Sequence, residues 1–267
     1  METKKYDYSE LIKVNGLFLR YVEDQKEELC LTAVKQNPLA LQFVKEQTEK
    51  ICLEAIAKDP FTIGFVKEQT EKICLEAVKR NPYTLEYIKN QTEQICLEAV
   101  KKDGMLLKDV ERQTYKICIE AVKQAPYALE FVKNQTEEIC LMAVEKTGIS
   151  IRCVEKQTEK ICLAALKSDA RAQHFIKIPL NVKYGIHYFG AYPCRTIYYV
   201  KIDGEYLFSI GCQESITKEQ FIDRIYNDCD MSGCGLEEYP HRQYYLDFLD
   251  SLERGDAENE HEQKSNN

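Results

Sequence analysis

One stretch recurs along most of this chain: Gln69-Thr70-Glu71-Lys72-Ile73-Cys74-Leu75-Glu76-Ala77-Val78-Lys79-Arg80-Asn81-Pro82. A Gln-Thr pair begins at positions 47, 69, 91, 113, 135 and 157, and a cysteine stands at 30, 52, 74, 96, 118, 140 and 162. Both series step by 22 residues with no insertion. A fixed period of this size restricts the fold to architectures whose units bury their apolar faces only against their neighbours.

The chemistry within one period reads as two short helices. Asn81-Pro82 opens the first, because Asn caps helix N-termini and Pro suits a first turn where its missing N–H costs nothing. The same slots hold Asn37-Pro38, Asp59-Pro60, Asp103-Gly104, Ala125-Pro126 and Thr147-Gly148. A short helix is predicted over roughly 82–89, with Leu85 and Ile88 three apart and Tyr83 and Tyr87 four apart, so that they fall on one broad face. Leu41, Phe43 and Val44, and later Leu129, Phe131 and Val132, fill equivalent places. The Gln-Thr pair reads as the break. Thr92 then caps a second helix with Glu93 near its positive end, and Ile95, Cys96, Ala99 and Val100 form its apolar stripe. Glu54 with Lys58, Glu76 with Arg80 and Glu98 with Lys102 are i,i+4 pairs on the outer face.

Neither helix is long enough to be stable alone in water, so stacking must supply the stability. The expected fold is a mainly α, right-handed-type α-solenoid of short helix pairs, followed by a small α+β domain. A leucine-rich repeat needs a strand with alternating leucines, and the apolar spacing here is helical. Ser9 to Val14 fits the end of a second helix with Asn15-Gly16 in the turn slot, and Ala170 to Lys177 fits a first helix. Pro179 falls where the next Gln should stand, and the period stops. The solenoid domain is therefore placed at 1–177.

From Ile178 the composition changes. Residues 196–202 read as a strand, Asp203-Gly204 as a hairpin turn, and 205–210 as the return strand. Thr217 with Gln220 is a capping box opening a helix through Phe221, Ile222, Ile225 and Tyr226. Pro240 is the expected start of a last helix carrying Tyr244, Tyr245, Leu246, Phe248, Leu249 and Leu252. Residues 178–253 form the small α+β domain, expected to lean on the last solenoid helix because so small a core is marginal. Residues 254–267 hold no large apolar side chain and are expected to be a disordered polar tail.

Several function classes are weighed against this pattern. The formal net charge of −8 is the wrong sign for a protein that mainly grips phosphates, so nucleic acid is not the expected partner. No run approaches the length of a bilayer span, and the first eight residues do not read as a secretory signal. Twelve cysteines without such a signal point to a reducing compartment. The cysteine column supplies one thiol per layer and reads as packing, with no cofactor. The metal candidates are Cys194, Cys212, Cys229, Cys234 and His241, with His187 nearby in sequence, although they lack two close cysteine pairs. The sequons Asn90-Gln91-Thr92 and Asn134-Gln135-Thr136 have no expected route to glycosylation. The aromatic column at 21, 43, 65, 87, 131 and 175 is expected to pack between layers rather than stack on bases. Lys45, Lys67, Lys89, Lys133 and Lys177 form a column broken by Glu23, Glu111 and Glu155. The first four of these lysines are the candidate binding surface.

The motif Gln-Thr-Glu-x-Ile-Cys-Leu-Glu-Ala-Val-Lys-x-Asn-Pro at 69–82, with Leu-Glu-Phe-Val-Lys-Asn at 129–134, resembles a 22-residue helical repeat. That repeat belongs to a domain-of-unknown-function family abundant in giant DNA viruses of amoebae and seen in some bacteria. The resemblance covers about 8–177 and brings no catalytic residues. It implies a viral protein acting in the host cytoplasm or carried in the virion. The resulting expectation is a non-enzymatic protein–protein interaction scaffold with an unidentified protein partner. The alternative is an enzyme or zinc-binding module with its site in 178–253.

Overall fold

The computed structural model describes residues 8–180, 183–187, 196–210, 213–227 and 242–254. By compactness the chain falls into two units, Met1–Ile139 and Cys140–Asn267.

The first unit is a run of layers. Its α-helices are α1 (Ser9–Val14), α2 (Glu27–Gln36), α3 (Glu49–Lys58), α4 (Glu71–Arg80), α5 (Glu93–Lys102) and α6 (Tyr115–Gln124). Helix α7 (Glu137–Lys146) begins at its end. After each of α1 to α6 comes a six-residue 3₁₀ helix: Gly16–Tyr21, Pro38–Phe43, Pro60–Phe65, Pro82–Tyr87, Gly104–Asp109 and Pro126–Phe131. Successive α-helices from α1 to α6 pack against one another.

The predicted helix over 82–89 is thus a 3₁₀ helix ending at Tyr87, with Thr84 N bonded to Asn81 O and Ile88 N to Leu85 O, both at 3.1 Å. Geometry gives the reason. A ten-residue α-helix rises about 15 Å, and six α-helical residues would return only about 9 Å, whereas six 3₁₀ residues return about 12 Å. The stretched form lets a short segment run back along most of its partner.

The caps form as the sequence implies. Asn81 accepts the N–H of Tyr83 at 3.0 Å, and Asn15, Asn37, Asp59 and Asp103 do the same in their repeats. Thr92 accepts from Ile95 N at 3.4 Å and donates its hydroxyl proton to Glu71 of the preceding repeat at 2.7 Å. One hydroxyl therefore caps its own helix and ties it to the layer before. Inside, Ile95, Cys96, Ala99 and Val100 are buried, as are their counterparts in α3, α4, α6, α7 and the later helix Glu159–Ser168, while in α2 Cys30, Ala33 and Val34 are buried and Leu29 is half-buried.

The turn slot decides how layers join. Where it holds Pro there is no N–H to satisfy, and the next α-helix ends in a base: Lys58 donates to Lys35 O, Arg80 Nη1 to Ala57 O at 3.2 Å, and Lys102 to Lys79 O. Lys58 and Lys102 therefore bond the preceding repeat rather than Glu54 and Glu98. Only the Glu76–Arg80 pair forms as expected, at 2.6 Å. Carbonyls at a helix C-terminus carry partial negative charge, which makes them good acceptors for a cation. In the first unit, where the slot holds Gly16 or Gly104, the next α-helix ends in Gln. Gly16 N donates to Gln36 Oε1 and Gly104 N to Gln124 Oε1, both at 2.6 Å. A Cβ at Gly104 would stand 2.2 Å from Ala121 O, so glycine permits the closer approach.

The second unit carries α8 (Glu159–Ser168) between the 3₁₀ helices Gly148–Cys153 and Ala170–Phe175, then a four-stranded antiparallel sheet in sequence order. Its strands are β1 (Lys183–His187), β2 (Ile197–Ile202), β3 (Glu205–Ile210) and β4 (Gln213–Thr217). Two helices follow, α9 (Lys218–Asn227) and α10 (Arg242–Arg254). The hairpin turn at Asp203-Gly204 has φ of 54° and 88°, the left-handed pair that matches strand twist. The capping box forms in both directions, with Thr217 N bonded to Gln220 Oε1 at 2.9 Å and Gln220 N to Thr217 Oγ1 at 3.3 Å. Ile197, Tyr199, Phe208, Phe221, Tyr245, Phe248 and Leu252 make the core between sheet and helices.

The small domain leans on the last repeat as predicted. Ala170 N donates to Ser209 Oγ at 3.0 Å, Gln173 Nε2 to Gly185 O at 3.0 Å, and His174 meets Tyr198 edge-on at 5.2 Å. Arg171 closes a 2.7 Å ion pair on the fully buried Asp169, so that carboxylate is not left without a partner. The expected tail loses one residue, since Arg254 is the last residue of α10, and 255–267 lie outside the described residues.

Candidate interaction surface

Each repeat holds one glutamine that the sequence reading treats only as a break. Gln69 donates from Nε2 to Ile63 O at 3.1 Å and to Tyr87 O at 2.9 Å, and its Oε1 accepts Lys89 N at 2.9 Å. Both amide protons and the carbonyl are used, within one layer and across to the next. Gln25, Gln47, Gln91 and Gln113 repeat the pattern in the first unit, and Gln157 does so in the second. The signal was available: this is the loop position whose residue type never changes among positions 25, 47, 69, 91, 113, 135 and 157.

The glutamine ladder fixes where the candidate lysines stand. Lys45, Lys67, Lys89 and Lys133 are exposed, and each gives its backbone N–H to the glutamine of the preceding repeat. Lys45 Nζ donates to Glu23 O at 2.7 Å, Lys67 Nζ to Lys45 O at 2.8 Å, and Lys133 Nζ to Glu111 O at 3.0 Å. The stems of Lys45, Lys67 and Lys133 lie along the stack, and these residues remain exposed.

The aromatic column corrects the expectation of interior packing. Tyr21, Phe65 and Tyr87 are exposed, and Phe43, Phe131 and Phe175 are half-buried. A second row from the start of each 3₁₀ helix adds exposed Leu39, Phe61 and Tyr83. The inward places of so short a helix are already taken by Leu41, Ile63 and Leu85, with Val44, Val66 and Ile88 just after them. Phe61 meets Tyr87 edge-on at 5.9 Å, and Arg20 lies 4.6 Å over the Phe43 ring. The Tyr83 hydroxyl donates to Asp103 at 2.7 Å, which pushes its pKa up. On the α-helical side, a shallow groove between α3 and α4 is lined by Leu53, Glu71, Lys72, Leu75, Lys79 and the Arg80–Glu76 pair.

The cysteine column is buried throughout. Burial pushes the thiols of Cys74 and Cys96 up to about 11, with Glu71 adding at the first and Glu111 at the second. Neutral, shielded thiols are poor nucleophiles and poor metal ligands. A sign follows for stability. The folded chain holds these thiols protonated, while the unfolded chain ionises them near the usual value of 9.0. Their contribution is complete below pH 9 and is lost as pH rises towards 11. The urea midpoint should therefore fall across that window, and the fall should be shallower in a Cys74→Ala, Cys96→Ala double variant. Equal slopes in both proteins would contradict this.

The metal candidates Cys194, Cys212, Cys229, Cys234 and His241 lie outside the described residues, as does the His187 side chain. Among the described residues no group of three or more His, Cys, Asp or Glu side chains could hold a metal. No described helix is long and apolar enough to cross a membrane.

A family model, described as a domain of unknown function (DUF4116), matches residues 92–135. The match spans two periods, from the Thr92 cap to Gln135. No curated protein and no solved structure matches the chain.

Proposed function

We propose that this chain is a non-enzymatic protein–protein interaction scaffold built on a right-handed α-solenoid. One observation carries the reading: the repeats are constant inside and varied outside. The buried Ile, Cys and Ala of α3 to α8 and the bonded Gln and Thr before them recur, while the first 3₁₀ position after the proline runs Leu39, Phe61, Tyr83. A frame held fixed while its outer side chains change is the arrangement by which stacked repeats present a binding surface. The resemblance to repeats of giant-virus proteins supports a viral role in the host cytoplasm or the virion. Lys45, Lys67, Lys89 and Lys133 belong to that surface, and the partner is a protein rather than nucleic acid.

The test compares tagged full-length chain with a Lys45→Glu, Lys67→Glu, Lys89→Glu, Lys133→Glu variant in affinity purification, after circular dichroism has established that both fold. Proteins captured specifically by the parent should be lost from the variant. Capture unaffected by the four reversals but abolished by Cys229→Ser with Cys234→Ser would overturn the scaffold.

A further inference from the structure

The exposed face is not uniform along the stack. Three consecutive repeats, those opening at Pro38, Pro60 and Pro82, carry Leu39, Phe61 and Tyr83 in one row, Phe43, Phe65 and Tyr87 in a second, and Lys45, Lys67 and Lys89 beside them. Five of the six apolar members are 40–54% exposed, and Phe43 is half-buried. The aromatic row runs on to exposed Tyr21 before the block, and the lysine row is bounded on both sides. The repeat before it places Glu23 in the lysine row, and the repeat after it places Asp109 in the aromatic row and Glu111 in the lysine row. Contiguous exposed rings over several layers mark a contact surface rather than scattered apolar residues.

Spacing and charge select the occupant. Stacked helices lie about 8–10 Å apart, which sets the expected interval between equivalent rings of one row. An extended strand repeats side-chain direction about every 6.7 Å and would drift out of step. A polyproline II helix turns once in three residues, about 9.3 Å, and keeps step. Aromatic-lined grooves bind this conformation because it is preformed and loses little entropy on docking. The three lysines form no ion pair among the described residues. They place positive charge at the same interval, which suits an acid at every third position. Glu46 and Glu68, next in the chain, and exposed Glu86 beside Tyr87 temper that field, so the rings supply the binding and the lysines, at the row's edge, select its sign.

We propose that the face made by Leu39, Phe61, Tyr83, Phe43, Phe65 and Tyr87 with Lys45, Lys67 and Lys89 docks a proline-rich, acidic segment of a partner protein in the polyproline II conformation. This rests on the scaffold reading and names its partner class.

Fluorescence anisotropy on the full chain tests it with labelled peptides of about twelve residues, a length of four turns. Repeating Pro-Pro-Glu should bind saturably, and repeating Pro-Pro-Lys should not. Phe65→Ala with Tyr87→Ala should weaken Pro-Pro-Glu binding by roughly tenfold or more, as loss of aromatic anchors does. Lys45→Glu, Lys67→Glu, Lys89→Glu should reverse the preference between the two peptides. These positions are exposed, and circular dichroism checks that each variant keeps its helices. Absence of saturable binding to Pro-Pro-Glu, or binding indifferent to both sets of variants, would overturn the proposal, as would tighter binding of oligouridylate at the same rings. If the peptide fails while the aromatic variant still loses proteins captured by the parent, this partner class is wrong and the scaffold stands.

Discussion

Replacing Gln69 by leucine is expected to lower the unfolding free energy by about 3 kcal/mol, although it changes neither the helices nor the apolar core. Leucine nearly preserves volume and removes three hydrogen bonds, to Ile63 O, Tyr87 O and Lys89 N. Each such bond contributes about 1 kcal/mol net, and backbone groups left without a partner add to the loss. Gln69→Glu should be at least as damaging. It keeps an acceptor for Lys89 N but turns a carboxylate oxygen towards two carbonyl oxygens. Urea denaturation of the three proteins checks the order. If the glutamine merely fills space, the leucine variant will match the parent.

Cys96→Asp is expected to be worse, costing about 4 kcal/mol or more, because it puts an unpaired carboxylate in the centre of the stack. Cys96 is 1% exposed, and the one polar atom assigned near its sulfur is Gln91 Oε1 at 3.8 Å, itself an acceptor. Cys96→Ala should cost only about 1 kcal/mol, the value of a small buried group. Chemical denaturation of both variants, with metal analysis of the parent, separates packing from ligation. A large loss in the alanine variant together with stoichiometric metal in the parent would make the column a ligand array.

The period, the caps, the buried stripe and the hairpin were legible because each depends on local chemistry. Asn81 caps whatever helix follows it, and Asp203-Gly204 turns whatever strands flank it. The 3₁₀ helices were not legible. Leu85 and Ile88, three residues apart, suit both helix types, and the choice depends on the length of the neighbouring α-helix. The aromatic column was misread for a related reason: with Leu85 and Ile88 already inward, no interior place is left for Tyr87. Strands β1 and β4 also escaped notice. Lys183–His187 has no alternation to read, and β4 pairs irregularly with β3 and bends at Ser215, whose φ is 47°. Of the candidate surface, the lysine column was legible as exposed charge. Its anchoring was not, because the glutamine bonds residues 18 and 20 places ahead and no local pattern announces a contact at that distance.

The central claim is that successive layers are joined by these glutamines, which hold an exposed edge rigid enough to bind. Hydrogen exchange by NMR tests it directly. The backbone amides of Lys45, Lys67, Lys89 and Glu111 belong to exposed residues in bends, yet each is donated to a glutamine Oε1 at 2.8–3.0 Å. They should exchange as slowly as the interior of α4 and α5, and in Gln69→Leu the Lys89 amide should lose its protection first. Exchange of these four amides at the rate of an unstructured chain would contradict the account.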